Sequence, residues 1–401
     1  MLKKLLLSIL VASAFVSGCK SDPVETTPTQ TIQVGGLFSL TGNWSSLGLT
    51  SKAAMNIAVT DVNNYLSSIT SPYRFSANIF DTKLDTALAL SAITNGFNNQ
   101  QIRYFIGPQS SAELGAVKNF ADANNILVVS QGSTASSLAI ANDAIFRFCP
   151  GDAVEGSAIA RTIYKEGKRH LITLSRDDAG NKGLQTATGA VFTTQGGTVE
   201  ALTPYAINTT DFSSVLANLK QQLTSKLSSA DSSQIGIYIA SFDECALLFK
   251  QASSDPIFSK VNWYGGDGVV LSSALTSDIQ AAAFASKVKF FAPTYGLPSS
   301  AKPDLASIQA EIKAATGLDA DAYALAVYDA VWVLAKTLTT KQSSDFSTFK
   351  TDFTNTANNY DGLTGMLSLN ANGDRSTGTF DYYGIVFENN QFIWKFSGKS
   401  E

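Results

Sequence analysis

Apolar positions recur along this chain with two alternating periods. Residues 32–38 form a short, largely apolar run, as a strand covered on both faces requires; Ala54, Ile57, Ala58, Val62, Tyr65 and Leu66 then return every three or four residues along one helix face. Phe75, Ala77 and Ile79 alternate as a second strand, and Ala89, Ile93 and Phe97 carry the next helix behind the capping candidate Asp85. A strand over 103–107, a helix opening at Ser111 and a strand over 126–129 continue the series. At Arg147-Phe148-Cys149-Pro150-Gly151-Asp152 the Pro and Gly interrupt regularity and predict a crossover. A second series follows, with strands over 170–175, 198–201, 234–240 and 263–266 and helices over 153–164, after Asn181, after Asp211 and over 242–252. Residues 287–295 lead into two long helices, the second over 321–338, and from Leu363 onward β-rich runs flank an Asn372-Gly373-Asp374 turn and predict antiparallel pairing. Strands joined by helical crossovers predict α/β architecture with doubly wound parallel sheets, and two series of similar size predict two similarly built lobes. The roughly 370 residues beyond the leader exceed one compact core and suit that division.

The junction Gly107-Pro108-Gln109-Ser110-Ser111 is the first candidate for chemistry. A strand there hands over to a helix, whose free N–H groups and dipole face the carboxyl edge of the sheet, where open α/β sheets bind ligands. Ser111 is thereby placed to offer a hydroxyl and an N–H to a carboxylate; on this junction alone, helix capping is the better account of the two serines.

Charge and the remaining residue types narrow the function. The net charge is −4 without basic clusters, which argues against nucleic acid as a partner. The single histidine, His170, follows Lys168-Arg169 and has no neighbouring nucleophile motif; no P-loop, dinucleotide fingerprint or metal-ligand spacing occurs, so no cofactor, metal or enzymatic activity is expected. Lys3 and Lys4, an apolar core from Leu5 to Val16, and Val16-Ser17-Gly18-Cys19 read as an export signal too short to span a bilayer. Residues 20–31, rich in Pro, Thr and Ser, read as a flexible tether, and nothing later is long and apolar enough to cross a membrane. Cys149 and Cys245 either form a disulfide or remain two buried thiols; the second is expected, since they fall in a crossover and in a separate helix.

The stretch Ile32-Gln33-Val34-Gly35-Gly36-Leu37-Phe38-Ser39-Leu40-Thr41-Gly42, followed by Gly48 and a helix, resembles the opening of the periplasmic branched-chain amino-acid-binding proteins that serve ABC transporters. Phe80-Asp81-Thr82 with Asp85, Ile106-Gly107-Pro108 with Ser110-Ser111, Phe146-Arg147 with Pro150 and Asp152, Tyr328-Asp329-Ala330, and Asn372-Gly373-Asp374 follow in that family's order over nearly all of the chain beyond the leader. The resemblance implies a type I periplasmic binding fold, two lobes joined by a three-strand hinge, with residues 32–148 plus 294–363 in the first and 149–293 plus 364–398 in the second. The small residues before Cys19 are similar to a bacterial lipobox. They imply a signal peptide over 1–18, acylation of Cys19 and a tether over 19–31, hence a monomeric receptor held at the periplasmic or cell-surface side of a membrane by lipid alone.

The same resemblance implies a ligand site. Ser111 matches the serine that binds the ligand carboxylate. Ser130-Gln131-Gly132-Ser133-Thr134 matches the next strand end, where the Gly132 carbonyl and the Thr134 hydroxyl, flanking Ser133, would hold the amino and carboxylate groups. Asp267, in Trp263-Tyr264-Gly265-Gly266-Asp267-Gly268, takes the place of the acid that completes the ammonium site, often Glu in the family. Trp44, Phe242 and Tyr295 fall near pocket-lining positions, and Ser241 aligns as well as Phe242. Leu47 replaces an aromatic common at the ligand mouth, and the stretch from Asp178 to Gly180 lacks the family's tyrosine; Asp178 is either a surface acid or a second negative group favouring a cationic ligand. A zwitterion needs donors for its carboxylate and negatively charged acceptors for its ammonium, which these residue types supply. The implied function is clamshell capture of an amino acid or similar small zwitterion for an ABC permease, with a sensory subunit of the same fold, or a receptor for a carboxylate, amide or short peptide, as alternatives.

Overall fold

The computed structural model describes residues 30–297, 302–341 and 343–400. The export signal, Cys19 and the tether as far as Thr29 lie outside the described residues. Gln30 and Thr31, read from the sequence as the end of the tether, are the first residues of a strand.

The first series runs β1 (Gln30–Phe38), α1 (Ser45–Ser68), β2 (Tyr73–Asp81), α2 (Thr86–Gln100), β3 (Tyr104–Ile106), α3 (Ser111–Asn124), β4 (Leu127–Ser130) and β5 (Ile145–Pro150). The second runs α4 (Asp152–Lys165), β6 (His170–Ser175), α5 (Ala179–Thr194), β7 (Thr198–Ala201), α6 (Ser213–Leu227), β8 (Ile235–Ala240), α7 (Cys245–Ala252), β9 (Asn262–Gly265), α8 (Ser273–Ser277), α9 (Ile279–Lys287) and β10 (Phe291–Tyr295). The chain then makes α10 (Leu305–Thr316), α11 (Ala322–Thr340), α12 (Phe346–Asn358), the short strands β11 (Asp361–Gly362), β12 (Gly365–Met366) and β13 (Asp374–Arg375), and the hairpin of β14 (Phe380–Glu388) and β15 (Gln391–Lys399).

Two sheets result. The first has the order β13-β5-β4-β3-β1-β2 with every pair parallel. The second has the order β15-β14-β10-β9-β8-β6-β7, parallel from β10 to β7 and antiparallel at β14 and β15, as the sequence predicts for the tail. In each parallel part the strand order reverses beside the opening strand, so the ligand-binding edge lies outside the carboxyl ends of β1 and β3 in one sheet and of β6 and β8 in the other.

The strands are apolar throughout because both faces are covered. Leu127 and Val129 of β4 point into the core made with α1 and α11, while Val128 between them joins Leu114 and Val117 of α3 on the other face. Helix α11 is buried almost all round, from Ala322 to Thr337, because it lies within the first lobe's core rather than on its surface. In the second sheet Ile172, Leu174, Ile237 and Ile239 meet Phe249 and Trp263 on one face; Leu171 and Tyr238 meet Ile159, Ile163 and Leu184 of α4 and α5 on the other. Among the described residues no helix is long and apolar enough to cross a membrane.

Several sequence expectations are corrected. Residues 147–150 are not a crossover but the end of buried strand β5; only Gly151 separates that strand from α4. Residues 287–295, read only as the lead into two long helices, hold the end of α9 and strand β10. Helix α12 was missed between the predicted helix and the tail, although Phe346, Phe349, Phe353 and Ala357 keep helical spacing and Phe353 packs on Phe146 and Phe148. The lobe boundaries move too: β10 belongs wholly to the second sheet, and Asp374 and Arg375, assigned by sequence to the second lobe, pair with β5 of the first. Three segments therefore run between the sheets, at Gly151, after Tyr295 and between Arg375 and Phe380. Cys149 and Cys245 are buried and unpaired, as expected.

One close approach fixes the mouth of the fold. A Cβ at Gly48 would stand 1.8 Å from the Ser39 carbonyl oxygen, so the start of α1 presses directly on the loop after β1. Gly48→Ala is expected to lower the unfolding free energy by about 1–3 kcal/mol, as overpacking does, measured by urea denaturation.

Candidate ligand cleft

The two serines at the start of α3 divide their work. Ser110 is the cap: its hydroxyl accepts the Glu113 N–H at 3.3 Å and its own N–H donates to the Glu113 carboxylate at 3.3 Å. The Ser111 hydroxyl is left to face the loop after β4, accepting the Ala135 N–H at 3.1 Å and bonding the Ser133 hydroxyl at 3.0 Å. Gly180, in the first turn of α5, faces it from the second lobe. A side chain at Gly132 would meet the Gln109 carbonyl and the Trp44 ring, so the indole lies against bare backbone there. The Thr134 carbonyl accepts the Asp152 N–H at 2.9 Å, which joins this loop to the start of α4. Arg147 braces this loop from behind: it donates to the Ala135 carbonyl at 2.7 Å and grips Asp374 through two hydrogen bonds of 2.6 and 2.7 Å. Ser111, Ser133 and Thr134 thus form one donor-rich wall.

The facing wall is acidic. Asp267 opens a single 3-10 turn after β9, is 7% exposed, and accepts the Tyr323 hydroxyl at 2.8 Å. Its N–H donates at 3.0 Å to Glu155, a wholly buried residue in the first turn of α4, three positions after Asp152. Burial pushes the Asp267 carboxyl up to about 7, with the Asp152 charge adding and the Tyr323 hydrogen bond opposing. Burial likewise pushes Asp152 up to about 6, and burial together with the charges of Asp267 and Asp152 pushes Glu155 well up. One oxygen each of Asp152 and Glu155, and the Tyr238 hydroxyl, are buried without a hydrogen-bond partner among the described residues. Arg147 acts on Asp152 only at a distance, its guanidinium being taken by Asp374. Among the described residues no group of three His, Cys, Asp or Glu is arranged to hold a metal ion.

The first turn of α1 closes the mouth. Trp44, at its cap in a left-handed conformation, stacks on Phe242 with ring centroids 4.5 Å apart. Beside it Asn43 donates to Glu244 at 2.6 Å and accepts the Asp243 N–H at 2.8 Å, and the Ser46 and Ser273 hydroxyls bond at 2.9 Å. Behind these lips a cavity of about 20 Å³, room for about one water, lies between Trp44, Thr50, Asp267, Asp321 and Tyr323. A larger depression of about 360 Å³, near Asn142, Lys350 and Asn372, is on the outer edge of the first sheet and touches none of these residues.

Residues 50–387 match the family described as the receptor family ligand binding region. The chain belongs to that family. An uncharacterized protein of Methanocaldococcus jannaschii is 27% identical over 98% of this chain and 96% of its own length. Among solved structures, a leucine-binding protein of Thermotoga maritima superposes with a TM-score of 0.74 at 20% identity, over 92% of this chain and 98% of that one. A solute-binding protein of an ABC transporter from R. palustris, in complex with 4-hydroxybenzoate, superposes with a TM-score of 0.72 at 15% identity, over 92% and 97%. The fold is the type I periplasmic binding fold of those proteins.

In this member of the receptor family the remaining sequence candidates lie as follows. Phe242 meets Trp44 across the mouth, whereas Ser241 is fully buried with its hydroxyl against the Cys245 thiol. Tyr295 sits behind the cleft: its hydroxyl donates to the Ala322 carbonyl, its ring meets Tyr323 edge-on at 5.0 Å and Arg375 lies over it at 5.3 Å. It positions Tyr323, which in turn holds Asp267. Asp178 caps α5 through the Asn181 N–H at 3.0 Å and pairs with Arg176 at 3.0 Å, so its charge is already met. The sequence reading missed Glu155, Tyr323 and the Asn43–Glu244 bridge. A signal for Glu155 existed: it lies with Gly156, Ile159, Ala160 and Ile163 on the buried stripe of α4, where an acid is out of place unless it serves a site.

Proposed function

We propose that the protein is an extracytoplasmic receptor that closes on an amino acid or similar small zwitterion and presents it to an ABC-transporter permease. The observation that carries this reading is the opposition of the Ser111–Ser133–Thr134 wall to the buried pair Asp267 and Glu155, which meets no cation among the described residues. The first wall supplies hydroxyls, N–H groups and the positive end of α3 to a carboxylate; the second supplies negative oxygens to an ammonium group. Neither wall suffices alone, so the ligand bridges the lobes and favours the closed arrangement by the contacts it makes only there. The Trp44–Phe242 stack and the Asn43 and Ser46 bridges then exclude water and give the closed lobes a fixed outer shape for the permease to read. A lipid on Cys19 would keep this monomeric receptor beside that permease. The leucine-binding and ABC-transporter proteins of the same fold support the transport role.

A thermal-shift screen of amino acids and carboxylates tests the reading, because a ligand at about a thousand times its Kd adds about 4 kcal/mol to stability. We expect Asp267→Ala to abolish the shift given by the best amino acid while keeping a cooperative unfolding transition. A variant that retained the full shift would take Asp267 out of the site.

A further inference from the structure

Asp267 stands between two acidic environments. On one side are Asp152 and Glu155, each buried and each with an oxygen lacking a hydrogen-bond partner among the described residues. On the other is the cavity behind Trp44, whose wall carries Asp321 and, at its rim, Asp319, and no Lys or Arg. Asp319 is exposed and pairs with Lys313 at 2.5 Å. Asp321 is buried: one oxygen accepts the Ala324 N–H at 2.7 Å and caps α11, the other accepts the Thr50 hydroxyl at 2.7 Å, and neither meets a cation among the described residues. Trp44, one face of whose ring is stacked on Phe242, lines the same cavity, and an indole is the aromatic group best suited to receive a cation.

A neutral amino acid would bring one ammonium group, which Asp267 and Glu155 already satisfy. It would leave Asp321, whose charge meets only the N-terminus of α11 and the Thr50 hydroxyl, facing an apolar side chain, and a buried carboxylate gains more from a cation. Resting on the zwitterion reading above, we propose that the cleft selects an amino acid bearing a second positive charge, its α-ammonium on Asp267 and Glu155 and its distal ammonium or guanidinium between the Trp44 ring and Asp321. Such a side chain occupies more than the present 20 Å³, so the lips close less far on it than they do here.

Matched pairs test this directly. L-lysine against L-norleucine, L-ornithine against L-norvaline and L-arginine against L-citrulline are titrated calorimetrically into the purified protein at pH 8 and low salt. At least one cationic member is expected to bind about tenfold or more tighter than its neutral partner, the gain of one desolvated charge contact. Asp321→Asn, which keeps a capping side chain on α11, is expected to cut that ratio to about threefold or less without weakening the neutral partner. A neutral member that binds as tightly as its cationic partner in every pair overturns this inference and leaves the zwitterion reading standing. A ratio untouched by Asp321→Asn overturns the placement of the distal charge. Failure of all six to bind overturns this inference, and the zwitterion reading falls with it only where the thermal-shift screen also yields no zwitterionic ligand.

Discussion

Replacing Arg147 by Leu is expected to lower the unfolding free energy by about 3–5 kcal/mol, because it leaves the Asp374 carboxylate buried without its partner. The two side chains are 2% and 8% exposed and joined by paired hydrogen bonds, so water cannot compensate for the loss. Urea denaturation at pH 7 would read the difference as a fall in midpoint at constant slope. Replacing both residues together, Arg147→Met with Asp374→Leu, should recover most of that stability, since an apolar pair of similar volume carries no stranded charge. It should not recover ligand binding, because Arg147 also donates to the Ala135 and Ser133 carbonyls and so fixes the loop that presents Ser133 and Thr134. A double variant as stable as the parent and equally able to bind would separate that loop from the arginine.

Glu155→Gln is expected to act in the opposite direction on the ligand-free protein. The carboxyls of Asp267 (to about 7), Asp152 (to about 6) and Glu155 are all raised by burial, so the folded chain holds protons that the unfolded chain releases above about pH 4. Stability from this source is therefore greatest in mild acid, falls as pH rises from about 4 through 7, and levels out above the folded values. For the acid cluster together the fall is on the order of a few kcal/mol. Glutamine at 155 removes one of the repelling acids and can still accept the Asp267 N–H. We expect Tm at pH 8 to rise by about 3–6 °C and its pH slope to flatten. The same change should weaken the best amino-acid ligand by about tenfold or more, since the ammonium loses a charged acceptor. In the parent protein the ligand-induced shift should grow between pH 5 and 8, as the cluster ionises to meet it. A ligand-free stability independent of pH between 5 and 8 would show that the cluster does not hold its protons.

The sequence disclosed whatever repeats locally. Alternating periods predict β1 to β4 and β6 to β9 with their crossover helices, and the β-rich tail predicts antiparallel pairing, although the hairpin of β14 and β15 turns at residues 389–390 and not at Asn372-Gly373-Asp374. Features set by distant partners were hidden. β13 is two residues long, and its place beside β5 depends on an ion pair spanning 227 positions, so no local pattern could assign it to the first lobe. β5 reads as a connection because Pro150 and Gly151, which end it, break the local pattern, whereas the buried Phe146 and Phe148 before them carry the strand. In α12 the polar Thr, Asn and Asp residues between the phenylalanines masked the stripe. At the cleft, turn chemistry and the family resemblance point to Ser111, the 132–134 loop and Asp267, all of them buried at strand ends. Glu155 stands out only as an acid on the buried stripe of α4, and the Asn43 and Ser46 bridges have no local signal because their partners lie about 200 positions away.

The threading of the chain has a consequence for how it can be made and altered. The first sheet receives its outer strand, and its core receives α11 and α12, only after the whole parallel part of the second sheet has been laid down. The half that leaves the ribosome first is thus completed only after most of the second has followed, and a product stopped at Gly151 would lack its edge strand and two of its core helices. Neither half corresponds to a continuous stretch of gene. Exchanging one of them between relatives would require three simultaneous splices, so new specificities in such a protein must arise by point changes along the cleft.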